Sequence, residues 1–312
     1  MKYGILSGVL WALDTTILAI ALGMSPYIGT AQAIAFAAIT SSALHDSACA
    51  IWLFIYMAIK GRLKDTWAAL KTRSGKVVVL GALLGGPIGM SGYVIAINEI
   101  GPAYTAIISA FYPAFGTLLA VLILKEKITW KRLVALAVAL CGIAAMSVSA
   151  VGSEDLVNPV VGVIAALLAV VGWGSEAVLC AWGMRDDAVD NETALQIRET
   201  TSGLVYLLIV LPIFGAWAFT ASAIPSWATG VLVLSALAGT ASYLFYYKGI
   251  AVIGAARGMA LNISYSAWAV VFGFVILGAV PGPVEIICCL VILGGTVLAA
   301  CDWEELFGRK KA

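Results

Sequence analysis

Charged side chains are scarce in this chain. Lys, Arg, Asp and Glu make up 11% of its 312 residues, against 62% apolar residues and a mean hydropathy of +1.03. That balance excludes a soluble globular surface and places the chain in a bilayer. Histidine is scarcer still, with His45 alone, so a histidine metal cluster is excluded and no metal is expected. Six cysteines, at 49, 141, 180, 288, 289 and 301, fall in apolar stretches without CxxC spacing and read as small packing residues. The sequences HExxH, GxSxG and GxxxxGK[ST] are absent, so neither an enzyme nor ATP hydrolysis by the chain itself is expected, and no cofactor is expected.

Long apolar runs are abundant. Crossing roughly 30 Å of hydrocarbon takes about 20 residues, and runs of that order lie near 3–22, 35–59, 76–97, 103–124, 130–150, 158–182, 194–215, 226–247, 255–277 and 283–301. The expectation is an all-α integral membrane protein of ten transmembrane helices with no soluble domain. Lys2, the first run and Ala31-Gln32-Ala33 imitate a secretory signal. That run, however, is longer than the roughly 7 to 15 residues of a signal core, and it carries Asp14.

Cytoplasmic loops retain Lys and Arg. With the N-terminus inside, all 18 basic residues fall on inner segments, including Arg198, whereas the outer segments hold Glu99, Glu154 and Asp155 but no base. Both termini are therefore expected in the cytoplasm. Basic residues spread over one membrane face give no patch for a nucleic acid.

The chain also repeats itself. Residues 100–115, "IGPAYTAIISAFYPAF", set over 253–268, "IGAARGMALNISYSAW", align Gly101 with Gly254 and Tyr112 with Tyr265. His45-Asp46 falls on Arg198-Glu199, and Trp11-Ala-Leu-Asp14 falls on Trp173-Gly-Ser-Glu176, in the same order along the chain. Five spans per repeat is an odd number, so the second repeat must enter the membrane upside down, and the charges agree: "LILKEKITWKR" is basic where its counterpart "VILGAVPGPVE" is not. The expected units are 1–150, an inverted counterpart at 151–303, and a basic tail at 304–312. Inverted repeats are a transporter architecture, with the pathway near midplane at the repeat interface.

A carboxylate inside hydrocarbon must face a wet cavity or a partner. Trp11/Asp14 and Trp173/Glu176 each have i,i+3 spacing, which sets a ring and an acid on one helical face. One reading makes these pairs a substrate wall that attracts an ammonium; the other makes the acids interhelical hydrogen-bond partners. His45 is open to a proton-linked role or a structural one. Arg198-Glu199 is expected near the cytoplasmic end of the seventh span, as a gate or structural ion pair.

With Trp-Ala/Gly in the first helix of each half, "GALLGGPIGMSGY" in the third, and "SAFYPAFGTLLAVLIL" followed by "KEKIT", the chain resembles the drug/metabolite transporter superfamily in its ten-helix form with two EamA-type halves. Tyr93, "FYPAF" and "GWGSEAVLCAW" narrow the resemblance to YddG-type aromatic amino-acid exporters of the bacterial inner membrane. It departs from the family pattern in Lys125-Glu126 after the fourth helix and in Ser266 where the ninth helix usually has proline. The resemblance implies a multi-pass protein of the cell inner membrane that exports amino acids, aromatic and other apolar ones favoured, by alternating access. The alternative is export of other small amphiphilic metabolites or drug-like cations. In that family the third, fourth, eighth and ninth helices surround the cavity. The candidate substrate contacts are Trp11, Asp14, His45, Tyr93, Tyr112, Trp173, Glu176, Tyr243, Tyr265 and Trp268. The expected partners are an amino acid and the lipid bilayer; the oligomeric state stays open, a monomer among the possibilities. Belt positions at the membrane surface are expected for Tyr3, Tyr27, Trp67, Trp130, Trp217 and Trp227.

Overall fold

A backbone surrounded by hydrocarbon has no water to pair with, so its amides must close hydrogen bonds within the chain, and the apolar runs become helices. The computed structural model describes residues 1–149, 156–185 and 189–301, and every regular element among them is helical. Glu154, Asp155 and the tail 304–312 lie outside the described residues. In chain order the helices are α1 (Lys2–Leu22), α2 (Ala31–Ile59), α3 (Leu63–Leu70), α4 (Arg73–Leu83), α5 (Ser91–Ser109), α6 (Tyr112–Leu124), α7 (Trp130–Ser149) and α8 (Pro159–Gly183). They continue with α9 (Asn191–Val205), α10 (Leu211–Ile213), α11 (Trp217–Ala223), α12 (Trp227–Ile253), α13 (Ala255–Asn262), α14 (Tyr265–Leu277) and α15 (Pro283–Ala300). Wider π-type turns at Leu84–Met90 and Tyr206–Val210 join α4 to α5 and α9 to α10.

Among the described residues nine helical stretches are long and apolar enough to cross a membrane, and α6 is a shorter apolar helix. The chain is thus a multi-pass membrane protein. Helix starts follow local chemistry. The side chains of Thr30, Asn158, Asp190 and Ser226 accept from the backbone N–H of Ala33, Val161, Thr193 and Thr229, and Pro159 and Pro283 open their helices, where no donor is needed.

The fourth apolar run is not one helix. Gly101 breaks the end of α5 at φ 78°, ψ 163°, and a second break at Ala110-Phe111 precedes α6. Gly254 does the same between α12 and α13 at φ 89°, ψ 162°, with Ile263-Ser264 preceding α14. Only glycine occupies this backbone region at little cost. The two residues matched in sequence therefore share one unusual conformation, and Tyr112 and Tyr265 each begin the helix after the second break.

Packing crosses the sequence halves. α1 lies along α12 and α14, α5 along α8, α2 against α9 and α12, and α7 against α15. The first apolar stretch is therefore an integral part of the bundle. The main core joins Tyr112, Val178, Tyr246, Tyr247, Met259 and Ile263. Trp67, Trp130, Trp217 and Trp227 are exposed as a membrane belt requires, but Tyr27 is buried, with its hydroxyl 2.7 Å from Thr229 Oγ1. Tyr27 follows α1 into the bundle and finds a polar partner there.

At the Lys/Arg-rich end, α2 and α3 are clamped to the start of α9. Glu192 accepts from Tyr56 and Lys60, each at 2.7 Å, and from Arg62 at 2.5 Å, and Arg62 also pairs with Asp190 and Asp65. Burial acts to raise the Asp190 pKa, but the Thr193 amide and the Arg62 guanidinium outweigh it and hold that carboxyl below its ordinary value.

Candidate functional site

The broken helices and α1, α8 and α12 enclose a small cavity of about 80 Å³. Six aromatic rings line it: Trp11, Tyr112, Trp173, Tyr243, Tyr246 and Tyr265, together with Met90, Ala177, Asn262 and one carboxylate, Glu176. The rings brace one another edge-on. Trp11 stands 5.0 Å from Tyr243 and 6.5 Å from Tyr265, and Trp173 stands 5.9 Å from Tyr112. Tyr93 backs Trp173 at 5.2 Å. Tyr112 donates to Asn262 Oδ1 at 3.1 Å, and Asn262 donates to Ser7 at 3.2 Å, so a hydroxyl and an amide at the wall are held in place. Such interlocked rings present π faces to whatever enters.

Glu176 joins this cavity to a polar cluster deeper in the bundle. Its Oε1 accepts from Arg198 Nε at 2.9 Å and from the Tyr247 hydroxyl at 3.1 Å. Arg198 also donates to Glu199 at 2.8 Å, to Asp46 at 3.4 Å and to the Tyr243 hydroxyl at 3.3 Å, and its guanidinium lies 4.8 Å from the Tyr243 ring centre. Asp46 accepts from Ser202 and lies 3.6 Å from His45 Nδ1. On the far side His45 Nε2 donates to Asp14 at 3.1 Å, and Asp14 accepts from Ser235. The wall of Glu176 is formed by backbone: a Cβ on Gly85, in the first π-type turn, would lie 1.5 Å from Glu176 Oε2. Only glycine lets that turn approach so closely.

The electrostatics of the cluster are one-sided. Four buried carboxylates, Asp14, Asp46, Glu176 and Glu199, face one guanidinium and one imidazole. The formal charge is −3, or −2 with His45 protonated. Arg198 is shared among three of those acids, and Glu199 Oε1 is buried with no hydrogen-bond partner among the described residues. Excess negative charge in a low-dielectric interior is relieved by binding protons or by attracting a cation.

The structure brings Trp11, Tyr112, Trp173, Glu176, Tyr243 and Tyr265 to the cavity and sets Tyr93 behind it. Asp14 and His45 do not line it. Residues three apart on a helix differ by roughly 60° in direction, enough for Trp11 to face the cavity while Asp14 turns to α2 and α12. Trp268 is also absent from the lining, and its buried Nε1 has no hydrogen-bond partner among the described residues. Arg198 and Glu199 are displaced most from expectation. Both are buried at 2% and 0% exposure within α9, because three carboxylates from three helices draw the guanidinium inward. Tyr246, Asn262 and Met90 are additional wall residues. Tyr246 lies one helical turn from Tyr243, and Asn262 interrupts an apolar run, both visible marks in the sequence.

The EamA-like transporter family matches the chain twice, over residues 1–148 and 160–301. Protein LicB of Haemophilus influenzae (strain ATCC 51907 / DSM 11121 / KW20 / Rd) is 31% identical over 219 residues, which cover 70% of this chain and 73% of LicB. A protein crystal structure with 18% sequence identity superposes at a TM-score of 0.69, covering 96% of this chain and 97% of that one. That likeness concerns the fold alone.

Proposed function

The chain belongs to the EamA-like transporter family of the drug/metabolite transporter superfamily, and from that premise we propose that it carries a compact organic cation, an alkylated or quaternary ammonium, across the membrane. The observation that carries this reading is the ring of six aromatic side chains around a single carboxylate, Glu176, with Arg198 already shared among Glu176, Glu199 and Asp46. Aromatic faces recognise quaternary ammonium groups through their quadrupoles, by roughly 0.5 to 2 kcal/mol per ring. The excess negative charge behind the wall adds an attraction for cations.

Amino acids, the class that the resemblance implies, share the ammonium, and Tyr93, Tyr112 and Trp173 give their aromatic members a stacking surface. Their carboxylate, however, meets a cluster already rich in carboxylates. The cavity is also smaller than the roughly 300 to 1,000 Å³ of ordinary ligand pockets, which favours a compact head group. Transport is by alternating access. Ten spans form two inverted five-helix units, 1–150 and 151–303, with both termini cytoplasmic, and one unit rocks against the other around the cavity. The matching breaks at Gly101 and Gly254 support that symmetry. The bacterial inner membrane is the compartment that this reading implies.

Binding tests the substrate class. Isothermal titration of purified protein in neutral detergent should give heat with choline and tetramethylammonium, and a weaker response or none with phenylalanine and tryptophan. Tighter binding of the two amino acids would favour the amino-acid reading instead.

A further inference from the structure

A second cavity lies outside the site just described. It measures about 370 Å³ and opens at the Lys/Arg-rich end of the bundle, among the α6–α7 loop, the end of α8, the α12–α13 break and the end of α15. Among the described residues, four basic side chains line it, Lys127, Arg132, Arg185 and Arg257, with one acid, Glu126. We propose that this cavity is a binding site for a phosphate group, carried by an anionic lipid headgroup or free in solution.

The acid does not cancel the bases. Glu126 is engaged by backbone: Oε1 accepts from Ala255 N–H at 2.8 Å and Oε2 from Ala256 N–H at 3.3 Å, capping the start of α13 after the Gly254 break. The guanidinium groups are oriented by helix ends. Arg132 donates from Nε to Cys301 O at 3.2 Å, Arg185 from Nη2 to Leu124 O at 2.5 Å, and Arg257 from Nε to Ala300 O. The bonds of Arg132 and Arg185 each take one of the five donors of a rigid fork, and that fork matches phosphate oxygens. The contrast on the same face is Arg62 and Lys60, which are matched by Asp65, Asp190 and Glu192. At that corner acids outnumber bases; at this cavity, among the described residues, Lys127, Arg132 and Arg185 outnumber Glu126. Basic pockets between helix ends on this side of a membrane suit lipid phosphates. The lining comes from both sequence halves, so a bound phosphate bridges the α6–α7 loop to the α12–α13 break.

Native mass spectrometry of the full-length protein in neutral detergent tests the site, with phosphatidylglycerol, phosphatidylcholine and inorganic phosphate as probes. Phosphatidylglycerol should be retained over phosphatidylcholine. An Arg132→Gln/Arg185→Gln double variant should lose about ten-fold in affinity, as expected for lost charge-assisted hydrogen bonds. A Lys64→Gln/Lys71→Gln variant, which removes as much charge elsewhere on this face, should bind as the parent does. Displacement of the lipid by inorganic phosphate, or binding of phosphate alone, would assign the site to free phosphate; lipid retention unaffected by phosphate would assign it to the headgroup. Equal retention of both lipids with no phosphate binding would overturn the proposal in the unaltered protein, whatever the variants do. Equal losses in the two double variants would also overturn it, by reducing the effect to general surface charge.

Discussion

Trp173 and Glu176 were legible in the sequence because an acid has no place in hydrocarbon unless it has a task, and the i,i+3 spacing put a ring beside it. Both line the cavity. Arg198 was not legible as a site residue. A base early in a span reads equally well as a surface charge, and only the convergence of α2, α8 and α9 shows three acids around it. Asp14 misled in the opposite sense, since the helical face it shares with Trp11 is wide enough to split. Two predictions belong to this scale. Glu176→Gln keeps an acceptor for Tyr247 and Arg198 but removes the charge at the wall, so cation flux should fall strongly at unchanged membrane abundance; unchanged flux by radiotracer uptake would assign Glu176 to the scaffold. Trp173→Ala removes one π face, so choline affinity should fall between two-fold and roughly thirty-fold, the range of one cation–π contact. Affinity unchanged in competition binding would show that another ring holds the ammonium.

Among the elements, the breaks at Gly101 and Gly254 were foreshadowed by the aligned "IGPAY" and "IGAAR" stretches, although the sequence did not show that each glycine interrupts a helix. The π-type turn at Leu84–Met90 was foreshadowed by its small residues and by Pro87, which lacks the N–H for a regular helical bond, whereas the close approach of Gly85 to Glu176 within it was not. Alanine at position 101 or 254 forces a backbone strain of about 1–3 kcal/mol. At 254 the added Cβ also approaches Glu126 Oε1 to 2.8 Å. Both variants should melt below the parent, Gly254→Ala further, and an unchanged melting temperature for both would remove the strain argument. The clamp at the start of α9 should respond to acid. The Asp190 pKa is lowered in the folded chain, so its contribution is present above the unfolded value of roughly 4 and is lost as pH falls through the folded value. Hydrogen-exchange protection at the start of α9 should drop over that acid range in the parent. Asp190→Asn, which keeps a capping oxygen, should lack the Asp190 part of that change, and the same acid response in both proteins would assign it to Glu192.

For the whole molecule, the bilayer setting and the positions of the apolar runs were readable from composition and hydropathy, and the family from the motifs that carry the resemblance. What escaped was how the halves interlock, because α1 packing on α12 and α5 on α8 depends on surfaces that no periodicity records. The orientation expected from the positive charges makes its own prediction. In a cysteine-free background, Ser222→Cys should react with an impermeant reagent applied to intact cells and Lys64→Cys should not; labelling of both from outside would refute the orientation. The central claim is that an aromatic cavity backed by surplus carboxylates carries an organic cation. Its most direct test is uptake of labelled choline into proteoliposomes containing the purified protein, measured beside labelled phenylalanine in the same preparation and against protein-free liposomes. The account predicts saturable choline flux that tetramethylammonium suppresses and phenylalanine does not. Saturable phenylalanine flux that is indifferent to both quaternary ammonium compounds would contradict it.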